Sequence, residues 1–397
     1  MATLAAVPGL RRLLPVLLLT VTLLAVPAMA SARVPQGFVG MMADGPLFDR
    51  HVNLSRQFDT MVGSGVESLR IVFNWSVAQP YPSFAAAPPS KRSHYANVGG
   101  VPTDWSTTDG QVIQAAAHGL TIMPTVMWAP AWGGQVNSTS GGYFMPRSGP
   151  YAAFVAALAR RYGPQGTLWS ANPRLRRLPI RLWQVWNEPN LSQYWQPSDF
   201  PGGYVNVLRA TRSAVRGVDP GAKIVLAGMP NKSWEDLARI YQVPGARSAF
   251  DVAAVHPFTA QPAGVLTILS LVRDAMRAAG DGNKPLIASE ISYPSAVGKG
   301  SQHYPFSTTE SGQAHNLGVL LSLLASHRNS LHLMAFYHYT WVGREHRGDK
   351  DFSFAGLFRF NGTGLVTKPA FGAFRHAALG MEGCRVKGPV ATHCSRR

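Results

Sequence analysis

The sequence predicts an α/β protein with a (β/α)8 TIM-barrel fold. Short apolar segments that suit buried strands alternate with longer segments of helical periodicity, and this alternation continues through eight units. No low-complexity linker and no internal repeat interrupts the series, so the eight units are expected to form one domain. Barrels of this type often exceed about 250 residues, and the length therefore requires no second domain.

The predicted strands are short, apolar and bounded by turn residues. They span residues 38–43, 68–73, 121–127, 181–186, 223–227, 252–255, 285–288 and 331–337. Longer periodic segments between them predict helices over residues 49–62, 108–118, 151–162, 203–217, 233–241, 264–279, 310–326 and 368–378. A doubly wound open sheet is the alternative, but it would normally carry a glycine-rich phosphate turn after an early strand, and the sequence has none in that context.

The two ends of the chain carry separate signals. Residues 1–30 combine Arg11 and Arg12, a leucine-rich apolar run and Ala28-Met29-Ala30, which is the pattern of a secretory signal peptide. The run is shorter than the about 20 residues of a membrane span, although an uncleaved N-terminal anchor is the alternative. Residues 31–380 then form the barrel domain, and residues 381–397 a tail. In an exported protein, Cys384 and Cys394 predict one disulfide in that tail, with two free thiols as the alternative.

The composition is strongly basic, with 37 Lys and Arg against 20 Asp and Glu and a formal net charge of +17. Such a field favours anionic partners, for example acidic polysaccharides, cell-wall polymers or lipid headgroups, or it is a solvated surface charge. The arginines are scattered, and no zinc-finger spacing or aromatic RNA-binding motif is present, so no nucleic-acid partner is expected. The composition does not indicate an oligomeric state.

Two glutamates stand where apolar strands end. Glu188 closes the segment 180–188, and Glu290 closes the segment 285–290, on the fourth and seventh predicted strands. A charge at the end of a buried strand is costly unless it is paired or functional. In a barrel, the carboxyl ends of the strands form the active-site face. The alternative is a pair of structural salt bridges to nearby arginines.

A carboxyl pair of this kind suits cleavage of a glycosidic bond. One group must protonate the leaving oxygen while the other, ionised at the same pH, supplies electron density to the anomeric carbon. A separation of about 5–5.5 Å gives net retention of configuration, and a wider gap leaves room for water and gives inversion.

The segment Trp186-Asn187-Glu188-Pro189 after the fourth strand, with a glutamate at the end of the seventh, resembles the clan A retaining glycoside hydrolases. Within the clan it is most similar to families 39 and 5, which include cellulase-like and β-xylosidase-like barrels. The resemblance covers residues 37–378. It implies an enzyme that cleaves O-glycosidic bonds in a β-linked oligo- or polysaccharide by double displacement, and the N-terminal signal adds that this enzyme is secreted or at the cell surface. An anionic glycan is one open possibility for that substrate.

The resemblance also implies roles for individual residues. Glu188 would be the general acid/base and Glu290 the nucleophile, while Asn187 would hydrogen-bond the sugar 2-hydroxyl. Arg70 matches the clan arginine that keeps the nucleophile ionised, which agrees with the effect of a nearby guanidinium on a carboxyl pKa. His256 matches a histidine often found beside the nucleophile, with a core histidine as the alternative.

Aromatic residues would complete a sugar site, because apolar sugar faces stack on rings. Trp341, just after the eighth strand, matches the tryptophan that forms the floor of the clan's glycone subsite, and Trp128 after the third strand is the second candidate. Phe258 departs from the resemblance, since many relatives carry a tyrosine there that hydrogen-bonds the nucleophile. Tyr293, Tyr337 and Tyr339 are candidates to replace it.

No metal ion or cofactor is expected. The sequence lacks a His-x-His on its first strand, a His-Glu-x-x-His motif, a Walker-type loop and a Gly-x-Ser-x-Gly elbow. Two other functions remain open besides a hydrolase. A glycan-binding barrel without catalytic activity would keep the aromatic cleft, and a transglycosylase would use the same site with a sugar acceptor in place of water.

Overall fold

Eight parallel strands form the centre of the computed structural model, which describes residues 34–136, 144–195 and 200–394. The strands are β1 (Val39–Ala43), β2 (Ser68–Asn74), β3 (Thr121–Met127), β4 (Leu182–Val185), β5 (Lys223–Val225), β6 (Ala253–Val255), β7 (Leu286–Ile291) and β8 (Leu333–His338). All eight lie where the sequence predicts strands, and their ends differ from the prediction by at most three residues.

The sheet closes into a barrel. β1 pairs in parallel with β2 on one side and with β8 on the other, where Val39 lies opposite Phe336. The remaining neighbours follow in chain order, and a single parallel bridge between Val225 and Val252 connects β5 to the residue that precedes β6. The predicted (β/α)8 TIM barrel is therefore confirmed.

Eight helices surround the strands, each in a predicted position. They are α1 (Leu54–Gly63), α2 (Ser106–Ala117), α3 (Ser148–Tyr162), α4 (Phe200–Arg216), α5 (Ser233–Gln242), α6 (Pro262–Ala278), α7 (Glu310–His327) and α8 (Pro369–Glu382). Local chemistry explains several starts: the Asn53 side chain caps α1 and the Thr309 side chain caps α7. α6 and α8 begin with proline, whose missing N–H costs nothing in the first turn.

Shorter elements decorate the loops. Hairpins pair Ala96–Val98 with Val101–Thr103 and Gly134–Val136 with Phe144–Pro146, and a small sheet joins Val342–Gly343, Phe358–Phe360 and Leu365–Thr367. Single helical turns cover Trp75–Ala78 and Thr167–Ala171.

The strands separate two apolar layers because their side chains alternate between the two faces. A small cluster that includes Met123, Ile287 and Tyr337 fills the interior of the barrel, and a much larger cluster lies between the strands and the helices. Gly40 on β1 makes room for this interior packing, since a Cβ there would lie 2.4 Å from Cδ1 of Tyr337. The interior of the barrel is thus a packed core, and we expect a ligand of the barrel to bind at one of its ends.

The C-terminal segment folds back against the start of β2. Cys384 and Cys394 form a disulfide, and the loop that it closes places Lys387 in a buried position. There the ammonium group lies 3.2 Å from Glu67 Oε1 and 2.8 Å from Glu382 Oε2. Two buried carboxyl groups therefore share one buried lysine, opposite the end of the barrel where the strands finish.

The predicted signal peptide, residues 1–30, lies outside the described residues. Within the residues that are described, no helix combines the length and the apolar character that crossing a membrane requires.

Candidate active site

A cavity of about 900 Å³ opens at the carboxyl ends of the strands. Residues at or just beyond the end of every barrel strand line it, from the first to the eighth: Asp44, Val72, Trp128, Glu188, Asn231, Phe258, Glu290 and Tyr339. The cavity thus lies on the face where barrels of this type carry their chemistry.

Glu188 and Glu290 both reach this cavity. Each side chain is about one-eighth exposed, at 12%. One oxygen of each carboxyl group and a ring nitrogen of His256 all lie within 4.8 Å of one another. Two residues about a hundred positions apart in the chain therefore converge on one small volume, as the sequence predicts.

Arg70 on β2 holds one of these carboxyl groups. Its Nη1 atom lies 2.5 Å from Glu290 Oε1. The other guanidinium nitrogens donate to Gln184 Oε1 at 2.6 Å and to Asn187 Oδ1 at 2.8 Å. The side chain is only 1% exposed, so three fixed acceptors replace water around a buried cation.

Gln184 keeps Arg70 in place from within the barrel. Its amide oxygen also accepts a hydrogen bond from the Thr125 hydroxyl at 2.8 Å, and its amide nitrogen donates to the Leu226 carbonyl at 3.1 Å. Asn187 accepts from Arg70, and Tyr194 also hydrogen-bonds to it. The polar groups beneath the cavity therefore form one connected network.

His256 lies directly behind Glu188 and is almost completely buried. Its Nδ1 atom is 2.7 Å from Glu188 Oε1, and its Nε2 atom is 3.7 Å from Glu290 Oε1. The position depends on Gly228, because a Cβ there would lie 2.0 Å from Nε2 of the histidine. His256 thus contacts both carboxyl groups without lining the cavity itself.

Burial shifts the pKa values of Glu188 and His256 in opposite directions. It raises the pKa of Glu188 to about 7, against an opposing effect from the positive charge of Arg70. It lowers the pKa of His256 to about 4, so the imidazole is neutral near pH 7. The site therefore offers a carboxyl group that can carry a proton close to neutral pH, next to a carboxylate paired with a guanidinium.

Asp44 is a third acid in the cavity, and the sequence reasoning missed it. It follows β1 directly, and its side chain accepts hydrogen bonds from the hydroxyl groups of Thr340 and Tyr339. Burial raises its pKa to about 6, and the neighbouring Glu290 contributes in the same direction. The signal was present, since Asp44 ends an apolar strand in the same way as Glu188 and Glu290 do.

Three residues of the cavity have left-handed backbone conformations. The φ angles are 63° at Trp128, 42° at Glu188 and 59° at Asn231. Such angles are uncommon outside glycine and cost free energy, and they cluster at functional sites. Here they turn side chains that follow β3, β4 and β5 toward the cavity.

The aromatic predictions have mixed outcomes. Trp128 lines the cavity, with its ring 5.6 Å from that of Tyr194. Trp341 does not: it is 0% exposed, packs against Phe358 and Phe371, and donates from Nε1 to Gln57 at 3.0 Å. The expectation that Trp341 forms the floor of a sugar subsite is therefore corrected, because the chain after β8 turns its side chain into the core.

Tyr339 occupies the cavity after β8 instead. Of the three tyrosines considered as replacements at the Phe258 position, Tyr293 is buried and Tyr337 fills the barrel interior. The negative charge of Asp44 raises the pKa of Tyr339 far above its usual range, so its hydroxyl stays protonated as a donor. Phe258 itself lines the cavity among other phenylalanines.

Glu188, His256 and Glu290 together have the donor types and the spacing of a metal site. Arg70, however, already donates to the Glu290 oxygen that faces the histidine. A divalent cation bound there would lie beside a guanidinium, which is electrostatically unfavourable. The arrangement is better suited to proton transfer than to metal binding.

Neither a protein-family model nor a curated protein matches the chain in sequence. Solved structures are similar in fold. A monomeric β-xylosidase from Caulobacter crescentus CB15 has a TM-score of 0.60 and 17% identity, over 87% of this chain and 69% of the other. A GH39 enzyme from Xanthomonas axonopodis pv. citri has a TM-score of 0.59 and 16% identity, over 87% and 67%. The GH53 catalytic domain of Ignisphaera aggregans has a TM-score of 0.54 and 17% identity, over 89% and 98%.

These neighbours, which include GH39 and GH53 enzymes, share the barrel fold of this chain. Sequence identity this low shows a shared architecture, and one barrel architecture supports many reactions. The reaction therefore depends on the residues that line the cavity.

Proposed function

We propose that the chain is a retaining glycoside hydrolase that acts on a β-linked glycoside or glycan with Glu188 and Glu290. The observation that carries this proposal is the approach of the two carboxyl groups to within 4.8 Å at the floor of one cavity. That distance resembles the spacing of about 5–5.5 Å in retaining enzymes and is shorter than the spacing of about 6.5–9.5 Å in inverting enzymes.

In the first step, Glu290 attacks the anomeric carbon while Glu188 gives its proton to the glycosidic oxygen. The bond between that carbon and oxygen breaks, the leaving group departs as an alcohol, and the sugar is held as an ester of Glu290. The pKa of about 7 for Glu188 supports its role as the acid, because a protonated fraction exists at neutral pH.

In the second step, water attacks the same carbon. Glu188, now ionised, takes a proton from the water, and the bond from the sugar to Glu290 breaks. The free sugar retains its configuration, and both carboxyl groups return to their starting states. Arg70 supports the nucleophile throughout, since it stabilises Glu290 as an anion before attack and after release.

Other residues would bind and orient the sugar. Asn187 lies beside Arg70 and Glu290, so its amide can reach the hydroxyl next to the anomeric carbon. Asp44 offers a carboxyl group to further sugar hydroxyls, and Trp128 offers a ring face for stacking.

His256 positions the carboxyl group of Glu188 from below.

A nucleophile and an acid/base respond differently to mutation, and this difference tests the proposal. Glu290→Gln should abolish turnover of 4-nitrophenyl β-glycosides. Glu188→Ala should lose activity on them and regain it with external azide, because azide attacks the sugar ester in place of water and has no proton for the enzyme to remove. Near-normal activity of Glu188→Ala without azide rescue would contradict its role. A wild-type protein that binds glycans but is inert across a broad panel would indicate a glycan-binding barrel, and transfer to added sugar acceptors would indicate a transglycosylase.

The N-terminal sequence supports the further proposal that the enzyme is secreted or located at the cell surface. The same substrate panel would identify the sugar and distinguish exo from endo action.

A further inference from the structure

We propose that the substrate is a glycoside with an apolar leaving group, and that Phe258, Phe306 and Phe352 form the surface that binds this group. We call these three residues the phenylalanine wall. The inference rests on the proposed function, since it assigns a leaving group to the reaction of Glu188 and Glu290. It narrows the substrate from glycans in general to glycosides that carry an aryl or alkyl aglycone.

The phenylalanine wall is continuous although its residues come from three different loops. The ring centroids of Phe258 and Phe306 are 5.3 Å apart with planes 21° from parallel, and those of Phe258 and Phe352 are 5.0 Å apart. Tyr304 extends the wall, stacked on Phe306 at 4.9 Å, and Tyr339 contacts Phe352 at 5.6 Å. All five rings line the cavity.

The chemistry of this surface is unusual for a sugar subsite. Sugars need hydrogen-bond partners as well as a stacking face, and tryptophan or tyrosine can supply both. Phenylalanine has no polar atom, and the three rings of the wall remain only half-buried. Their exposed faces cost free energy in water, and an apolar group placed against them removes that cost at about 25 cal/mol per Å². The surface therefore favours an apolar ligand over a second sugar.

The position of the phenylalanine wall relates it to the leaving group. Phe258 packs edge-on against His256, with ring centroids 6.0 Å apart, and His256 contacts the carboxyl group of Glu188. Burial raises the pKa of the Tyr304 phenol, and the charges of Asp351 and, to a smaller extent, Glu188 act in the same direction. The wall thus adjoins the acid, and the acid protonates the oxygen of the departing group.

One buried acid fixes the loops that carry the phenylalanine wall. Asp351 accepts hydrogen bonds from the backbone N–H of Gln302 at 2.9 Å and of Tyr304 at 3.0 Å, and from the Ser307 hydroxyl at 2.5 Å. The loop after β7 and the loop after β8 are therefore tied together. A surface held in this way is preorganised, so little ordering free energy is lost when a ligand binds.

The test measures binding in a protein that cannot turn over. In Glu290→Gln, dissociation constants would be measured by calorimetry for hexyl and methyl β-glycosides of xylose, glucose and galactose, and for the matching β-linked disaccharides. We expect the hexyl compound of at least one sugar to bind about tenfold more tightly than its methyl partner and its disaccharide. Phe306→Ala in the same background should remove most of that difference, because it should weaken hexyl binding far more than methyl binding.

Two further variants separate the phenylalanine wall from general destabilisation. Phe258→Tyr keeps the ring but adds a hydroxyl to the surface, so it should weaken hexyl binding more than methyl binding. Phe360→Ala removes a half-buried phenylalanine outside the cavity and should leave both unchanged.

Equal affinity for hexyl and methyl glycosides would overturn the inference. So would disaccharide binding that matches hexyl binding and falls equally in Phe306→Ala, because the wall would then be an ordinary sugar subsite. Failure of the proposed function would look different: the wild-type protein would hydrolyse none of the glycosides, whatever the preference for hexyl compounds in binding.

Discussion

Arg70 and Glu290 form an ion pair at 2.5 Å at the floor of the cavity, although 220 positions separate them in the sequence. The arginine is on β2 and the glutamate is on β7, so the pair exists only when the barrel has closed. Because Gln184 and Asn187 accept from its remaining nitrogens, the guanidinium has one defined orientation. The carboxylate of Glu290 is held by the same orientation.

Arg70→Lys should lower kcat/KM on the order of 10²-fold while the protein still folds. A lysine keeps the charge, but a single ammonium group cannot reach three acceptors arranged around a planar fork. Steady-state kinetics on the preferred aryl glycoside would measure the loss, with a thermal melt to confirm folding. Activity close to wild type would mean that charge alone supports Glu290.

The pH dependence of kcat/KM should show a decline above pH about 7. Glu188 must be protonated to donate to the leaving oxygen, and burial raises its pKa to about that value. In Glu188→Gln, the residual activity on an aryl glycoside with a good leaving group should lose this alkaline limb. If the alkaline decline in kcat/KM persists unchanged in this variant, a group other than Glu188 causes it.

The same raised pKa predicts an effect on stability. The ionised form of Glu188 is disfavoured in the folded protein, so the penalty is absent below the unfolded value of 4.5 and complete above about 7. Glu188→Gln should therefore be more stable than wild type at pH 8 by about 1–3 kcal/mol, and the difference should shrink toward pH 4. Urea denaturation at the two pH values measures the unfolding free energies of both proteins directly. A difference in stability that stays the same at both pH values would contradict the raised pKa of Glu188 as its cause.

Gly228→Ala should impair catalysis through His256. The added Cβ would lie 2.0 Å from Nε2, so the imidazole must move away from Glu188. We expect kcat to fall about tenfold or more. In a His256→Ala background the same substitution should have little further effect, because the ring that it displaces is gone. Additive losses in the double variant would show that Gly228 acts through the backbone.

Lys387→Met should cost about 3–5 kcal/mol in unfolding free energy at pH 7, because it leaves buried acids without a counter-charge. Burial raises the pKa of Glu382, so protonation of this group reduces its need for a counter-charge. Glu382→Gln should for that reason cost less than about 1 kcal/mol. Denaturation curves for the two variants would test this contrast, and equal losses would contradict it.

The order of strands and helices was predictable from sequence because it depends on local periodicity and turn residues. The convergence of Glu188, Glu290 and Arg70 was predictable for a related reason. Each lies on an apolar strand or a few residues beyond its end, and the carboxyl ends of parallel strands must meet once the barrel closes.

The aromatic residues were harder to place. Trp341 and Tyr339 are two positions apart after β8, and which one faces the cavity depends on the path of the backbone beyond the strand. The phenylalanine wall could not be predicted either, because Phe306 and Phe352 are on irregular loops that Asp351 brings together. Asp44 could have been predicted from the sequence, since it follows β1 in the same way as the two glutamates stand at the ends of their strands.

The pairing of β1 with β8 has a consequence for how the chain is made and delivered. Val39 cannot pair with Phe336 until all the residues between them have been synthesised. The long segment that separates the two residues must then close on itself before the barrel gains its last ladder of hydrogen bonds. Closure of the barrel is therefore expected to be a late step in folding. A chain in which β1 and β8 have not yet paired can still pass through a translocation channel, and this suits the export that we propose for it.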